Sequence, residues 1–334
     1  MILGVNFSFI FSEKFLIFLL FFCFCSCDNL MKNDITGSVY GTTYRIQYYV
    51  DSSYESNFPK QIDSIFDEID FSMSTYKSNS IVSRINKNEV LEIDKHFLNV
   101  FKMSKEIYKI TNGRFDPSIG ILVNYWGFGA VKPERKKNLY EVKSKVGLSK
   151  FNLNENFLLR PQDSYLDFNA IAKGYAVDQI AEFLESKDID NFLIEVGGEI
   201  RASGKNLSLY NPWNIGIDMP RFDGGRSIYS TLLVSDISLA SSGTYRKYKI
   251  DSSGNKYAHI IDPRTGKPIK TNILSVNIKT NNCIDADAYA TALHVMNLNE
   301  IGIFLKGKEN ISALVIYEND DKELDFVDFN DFYN

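Results

Sequence analysis

Three stretches of this chain combine residue types that can do chemistry: YLDFNAIAKGYAVDQIAEFLE from Tyr165, YAHIIDPRTGKP from Tyr257 and DADAYATAL from Asp285. Together they supply carboxylates, a lysine, a histidine and glycine-marked turns, the equipment for gripping a polyphosphate around a hard metal ion. On a helix Asp287 and Thr291 stand four apart and share a face. A carboxylate and a hydroxyl can then converge on one cation such as Mg2+, which takes oxygen ligands and is commonly completed by substrate phosphates. Asp285 also fits a plain helix N-cap. In the first stretch, Asp167 to Gly174 joins a strand to a helix start, where free N–H groups and the dipole favour anions. Lys173 adds a full positive charge there, although a cap at Asp167 or Asn169 with a solvated lysine explains the same pattern. His259 precedes Asp262-Pro263-Arg264-Thr265-Gly266, a turn by composition, so it falls near a strand end where a base can reach a substrate.

Weaker signals accompany these. Glu195-Val-Gly-Gly-Glu199 follows an apolar strand, and Ser241-Ser-Gly-Thr-Tyr-Arg246 joins hydroxyls and a glycine to an arginine suited to anion contact. The aromatic turns around Arg114-Phe115-Asp116 and Asn124-Tyr-Trp-Gly-Phe128-Gly either wall an aromatic ligand or fill core, with core the default.

The elements that must position these groups show in the periodicity. Tyr44, Ile46, Tyr48 and Val50 alternate with Arg45, Gln47 and Tyr49 as a half-buried strand. Helical spacing links Phe58, Ile62, Phe66 and Ile69, and again Phe97, Val100, Phe101 and Tyr108, ending at Thr111-Asn112-Gly113. Further helices are expected within 134–146 and over 170–185, 285–295 and 299–305. Strands are expected around Phe157 and Leu166 and over 192–196, 213–217, 230–234 and 273–278, with a final one over 313–317. Without a βαβ rhythm the class is α+β, one compact unit with two lobes. No GxGxxG follows a strand, which argues against a Rossmann site.

A net charge of −5 argues against a nucleic-acid binder, which would normally show a basic face. Residues 15–24 read FLIFLLFFCF, the length of a signal-peptide core rather than a comfortable membrane span. The run ends in Phe24-Cys25-Ser26-Cys27, whose Ser26-Cys27 step resembles a bacterial lipobox, which implies a signal peptide over 1–26, a lipidated Cys27 with a tether over 27–36, and a catalytic body over 37–334. An uncleaved anchor is the alternative, and either arrangement tethers the chain to a membrane. Three of the four cysteines lie in this leader. Cys283 alone remains for the body, so no internal disulfide is expected and the thiol reads as a small buried hydrophobe.

The order of segments along the chain narrows the reading. YGTTY, MSTYKSNSIVSRIN, TNGRFDPSIGILVNYWGFG, LDFNAIAKGYAVDQIAEFL, IEVGGEIRASGKN, WNIGID, SSGTYRKY, HIIDPRTGKP and DADAYATAL follow one another. This series closely resembles the ApbE family of flavin transferases, whose members move FMN from FAD to a protein. The resemblance implies a mixed α/β fold related to T-folds and a periplasm-facing lipoprotein, and Asp28 just after Cys27 suits retention at the inner membrane. It implies metal ligands at Asp287, Thr291 and the backbone carbonyl of Ala170, and a catalytic base at His259. FAD contacts are implied at Tyr40, Tyr76, Arg114, Phe115, Asp116, Asp167, Lys173 and Ile261. Many relatives carry Met at the position of Tyr40, and Ala is usual at that of Arg114. The implied acceptor is a threonine or serine hydroxyl on a redox-pump or reductase subunit, with AMP released. The same site used on water would be an FAD pyrophosphatase, and without turnover it would be a flavin-storing lipoprotein.

Overall fold

Eight strands form one antiparallel sheet that carries everything else. In spatial and chain order they are β1 (Leu30–Val39), β2 (Thr42–Asp51), β3 (Phe192–Val196), β4 (Glu199–Ser203), β5 (Ile237–Gly243), β6 (Ile273–Thr280), β7 (Ser312–Glu318) and β8 (Leu324–Phe329). The structure, a computed structural model, describes residues 30–51, 57–132, 138–223, 225–245, 248–250 and 256–333. Cys27, the expected signal peptide, the first residues of the expected tether and Arg246 lie outside these. β1 begins at Leu30, inside the span assigned to the tether. No helix of the described residues is long and apolar enough to cross a membrane.

Helices cover one face. α1 (Phe58–Met73) buries Phe58, Ile62, Phe66, Ile69 and Met73, a stripe at helical spacing. α2 (Lys95–Ile110) starts where Asp94 Oδ1 accepts the Phe97 N–H at 2.8 Å. It stops at Asn112 and Gly113, both at positive φ. α3 (Ala172–Glu185) and α4 (Cys283–His294) cross closely, and α5 (Leu298–Leu305) opens with a capping box between Asn297 and Glu300. The large core lies between these helices and the inward residues Ile46, Tyr48, Ile194, Val276, Ile278 and Val315. On the opposite face a hairpin of Trp213–Asp218 and Ile228–Val234 covers the sheet, and a second core forms there around Tyr49, Trp213, Ile215, Leu314 and Ile316.

Several sequence expectations need correction. β2 is not half-exposed over its second half: Tyr49 is buried in the second core, and Gln47 is buried with its Nε2 donating to Asp34 Oδ2 at 3.0 Å. Leu166 is in no strand, because the Asn86 side-chain amide, donating to its carbonyl and accepting its N–H at 2.8 Å each, replaces the strand neighbour. The helix expected within 134–146 is described only over Leu139–Lys143. The strand over 313–317 is not the last, since β8 follows it. Asp285 is not an N-cap: Asn282 holds that position and Asp285 sits in the first turn. The cap hydrogen bonds come from another helix. Asp178 of α3 accepts the Cys283 N–H at 3.0 Å and the Ile284 N–H at 2.8 Å, and is itself held by Arg201.

Candidate functional site

A cleft of about 920 Å3 opens where the β1–β2 turn, the start of α3, α4 and the turn after His259 meet. Tyr40, Tyr76, Arg114, Phe115, Asp116, Asp167, Ala170, Lys173, His259, Ile261, Asp287 and Thr291 all line it. Residues spread over some 250 positions are thus brought to one wall. The site residues expected from the sequence converge.

Each is positioned by local geometry. Tyr40 and Gly41 form the two-residue turn between β1 and β2, with φ of 53° and 75°. A left-handed tyrosine is uncommon and its strain is the kind found at functional turns. Its hydroxyl donates to the Phe66 carbonyl at 3.0 Å and its ring meets Phe66 edge-on. Asp167 is held by its N–H, which donates to the Pro117 carbonyl at 2.8 Å, and its Oδ1 accepts the Asn169 N–H at 2.9 Å. Tyr76 stays exposed; partial burial first and the Asp167 carboxylate second raise its phenol above the ordinary value. Asp116 faces protein rather than solvent: it accepts from the Ser118 N–H and Oγ–H and the Leu148 N–H, and burial pushes it up to about 6. Its contribution to the cleft is to fix the loop that presents Phe115. Ile261 lies in the short Ile261–Asp262 and Lys267–Pro268 hairpin and joins a small cluster with Leu122, Phe128, Val142 and Val146. The aromatic turn 124–129 therefore does both of the jobs weighed for it. Trp126 packs in that cluster, its Nε1–H donating to the Gly266 carbonyl at 2.9 Å, while Phe128 reaches the cleft beside His259.

The electrostatic centre is where α3 meets α4. Gly174, at the third position of α3, donates its N–H to Asp287 Oδ2 at 3.0 Å. That contact needs glycine, since a Cβ there would lie 2.3 Å from the Cys283 carbonyl oxygen. Asp287 is 5% exposed; burial pushes its carboxyl up and the Lys173 ammonium pulls it back. Lys173 Nζ lies 2.5 Å from Glu199 Oε2, and Glu199 is buried. The EVGGE segment thus supplies the lysine's counter-charge, a pairing across 26 residues with no local sequence signal. Ser241, Ser242 and Gly243 also line the cleft.

Asp287, Thr291 and the Ala170 carbonyl offer a carboxylate, a hydroxyl and a carbonyl in one cleft. Among the described residues no group of three or more His, Cys, Asp or Glu converges. An all-oxygen set with a single carboxylate suits a hard cation whose remaining ligands come from water and substrate phosphates, so the residues fit Mg2+.

Of the three histidines only His259 lines the cleft. His96 is buried between Tyr175 and Glu68. His294 is fully enclosed, with Nδ1 3.0 Å from Ser242 Oγ and Nε2 3.3 Å from the Ile273 carbonyl; burial pushes it down to about 4. A carbonyl accepts only, so Nε2 carries the proton and Nδ1 accepts, a neutral structural imidazole.

The ApbE family profile matches residues 40–315. An FAD:protein FMN transferase of Haemophilus influenzae is 35% identical over 303 residues, 86% of each chain. That of a Vibrio cholerae strain is 34% identical over 300 residues, covering 86% of this chain and 88% of the relative. The solved flavin transferase ApbE from Vibrio cholerae superposes with a TM-score of 0.80 at 31% identity, over 91% of this chain and 98% of that one. The matched span contains all the residues that line the cleft, and the chain belongs to the ApbE family.

Proposed function

We propose that this cleft transfers FMN from FAD to the hydroxyl of a threonine or serine on a partner protein, leaving a phosphoester-linked flavin and AMP. The observation that supports it most is the convergence of all twelve expected residues on one cleft. The relatives are named for FAD:protein FMN transfer, which points the same way. In this reading the acceptor oxygen attacks the FMN-side phosphorus, the bond from that phosphorus to the bridging oxygen breaks, and AMP leaves with the bridging oxygen. His259 takes the hydroxyl proton, the task for which imidazole is suited near neutral pH. Mg2+ held by Asp287, Thr291 and the Ala170 carbonyl would supply charge neutralisation at the pyrophosphate. Lys173 and the start of α3 steady the phosphates. Tyr40, Phe115 and Ile261 give the cleft apolar walls, with Tyr76 and Asp167 at the polar side.

The same reading puts the enzyme on the periplasmic side of a bacterial inner membrane, anchored through Cys27, and makes its client a redox-pump or reductase subunit. Its support is the FLIFLLFFCFCSC segment and the family pattern. Incubation with FAD, Mg2+ and an acceptor polypeptide tests the reaction. Transfer adds one FMN to the acceptor and releases one AMP. Free FMN with an unmodified acceptor means hydrolysis, and intact FAD means storage; either outcome contradicts the proposal.

A further inference from the structure

Arg114 belongs to two hollows at once. It lines the cleft, and it lines a shallower groove behind it of about 200 Å3 formed with Ile110, Met296, Glu300 and Phe304. Its guanidinium is tied from behind, with Nη2 donating to Glu300 Oε1 at 2.6 Å, while its buried Nε–H has no acceptor among the described residues. The same Oε1 stands 3.8 Å from Arg264 Nη1. Arg264 in turn grips Asp262 through Nε at 3.1 Å and Nη2 at 3.2 Å, and Asp262 is three residues beyond His259. The other oxygen, Glu300 Oε2, accepts the Asn297 N–H at 3.0 Å and so closes the capping box of α5. The Asn297 cap, then Arg114 and Arg264, hold the Glu300 carboxyl below its ordinary value.

One carboxylate therefore fastens three parts of the site: the loop bearing Phe115, the turn bearing His259 and the start of α5. We propose that Glu300 is a positioning residue, which sets Arg114 on the cleft wall for the FAD substrate and, through Arg264 and Asp262, holds the turn that carries His259. This rests on the flavin-transfer reading. Arg114 then acts on binding, because its guanidinium lines the cleft and, with one N–H given to Glu300, keeps further N–H groups suited to a flavin carbonyl or a phosphate oxygen. Arg264 acts on the placement of the base and so on the rate.

The test uses the full chain with FAD and Mg2+. FAD affinity is read from quenching of flavin fluorescence, and the transfer rate is read at saturating FAD. Glu300→Gln keeps a cap-competent side chain at α5 while removing the charge, so the melting temperature should change little. It should weaken FAD binding by roughly three- to tenfold, the effect of a charge-assisted contact in a partly exposed setting, and slow transfer at saturation as well. Arg114→Ala should weaken binding alone, and Arg264→Ala should slow transfer alone. In the Arg114→Ala, Glu300→Gln double variant the binding loss should match Arg114→Ala by itself. Wild-type values for Glu300→Gln in both readouts, or binding losses that simply add in the double variant, would overturn the proposal. Failure of the wild type to bind or transfer would instead overturn the flavin-transfer reading itself.

Discussion

Replacing Gly174 by alanine tests the α3–α4 junction on which the candidate metal and phosphate groups depend. Helix propensity alone favours the change by about 1 kcal/mol. Packing opposes it, because the new Cβ would meet the Cys283 carbonyl oxygen at 2.3 Å, its carbon at 2.7 Å and Asp287 Cβ at 2.9 Å. The first two are backbone atoms at the start of α4 and cannot rotate away, so the helices must part by roughly 1 Å to restore ordinary contact. Overpacking of this kind costs about 1–3 kcal/mol. Parting the helices also stretches the hydrogen bond from the Gly174 N–H to the buried Asp287 carboxylate, a bond to a charged group worth about 1.5–3 kcal/mol. The two costs together outweigh the propensity gain and leave a net loss of about 1.5–5 kcal/mol. For a chain of this size that lowers Tm by roughly 2–7 °C. Urea unfolding and a thermal scan measure it directly. An alanine variant as stable as the wild type, or more so, would refute the argument that close approach rather than helix propensity governs this position.

Asp287→Ala should remain folded yet lose Mg2+-dependent activity, whereas Asp285→Asn should lose only about 0.3–1 kcal/mol of helix-dipole stabilisation and keep turnover; the reverse pattern would misassign the helix. His294 is held at about 4 by burial, below its ordinary 6.5, so the unfolded chain binds its proton first. The stability it provides is complete above pH 6.5 and is lost as pH falls toward 4, by about 3 kcal/mol. The stability difference between wild type and His294→Gln should therefore shrink from pH 7 to pH 4.5 in urea titrations, and a difference that grew would reverse the sign of this linkage. Cys27→Ala should abolish fatty-acid labelling while Cys25→Ala keeps it, because only Cys27 has a small residue before it and polar residues after it; label retained without Cys27 would refute the lipobox.

The sequence spoke clearly where chemistry and local spacing coincide. Asp287 and Thr291 announce a shared helix face, Thr111-Asn112-Gly113 announces a helix end, and both are found there. Long-range pairing left no such mark. Nothing near Glu199 reveals that it partners Lys173, and nothing near Asp178 reveals that it caps a helix starting 105 residues later. The alternation in β2 indicated one buried face but could not show that the 213–234 hairpin covers the other, which is why Tyr49 is buried. At Leu166 a side-chain amide imitates a strand, a substitution that no periodicity reports.

The central claim, that this cleft moves FMN onto a hydroxyl with His259 as the base, is met most directly by single-turnover transfer across pH in wild type and His259→Ala. FAD binding is recorded alongside. The account predicts that the variant binds FAD normally but transfers FMN about 10²–10⁴-fold more slowly. It also predicts that the rise of rate with pH seen in the wild type is absent from the variant. A variant that binds FAD poorly yet transfers at the wild-type rate once saturated would contradict it, and would make His259 a binding residue rather than the base.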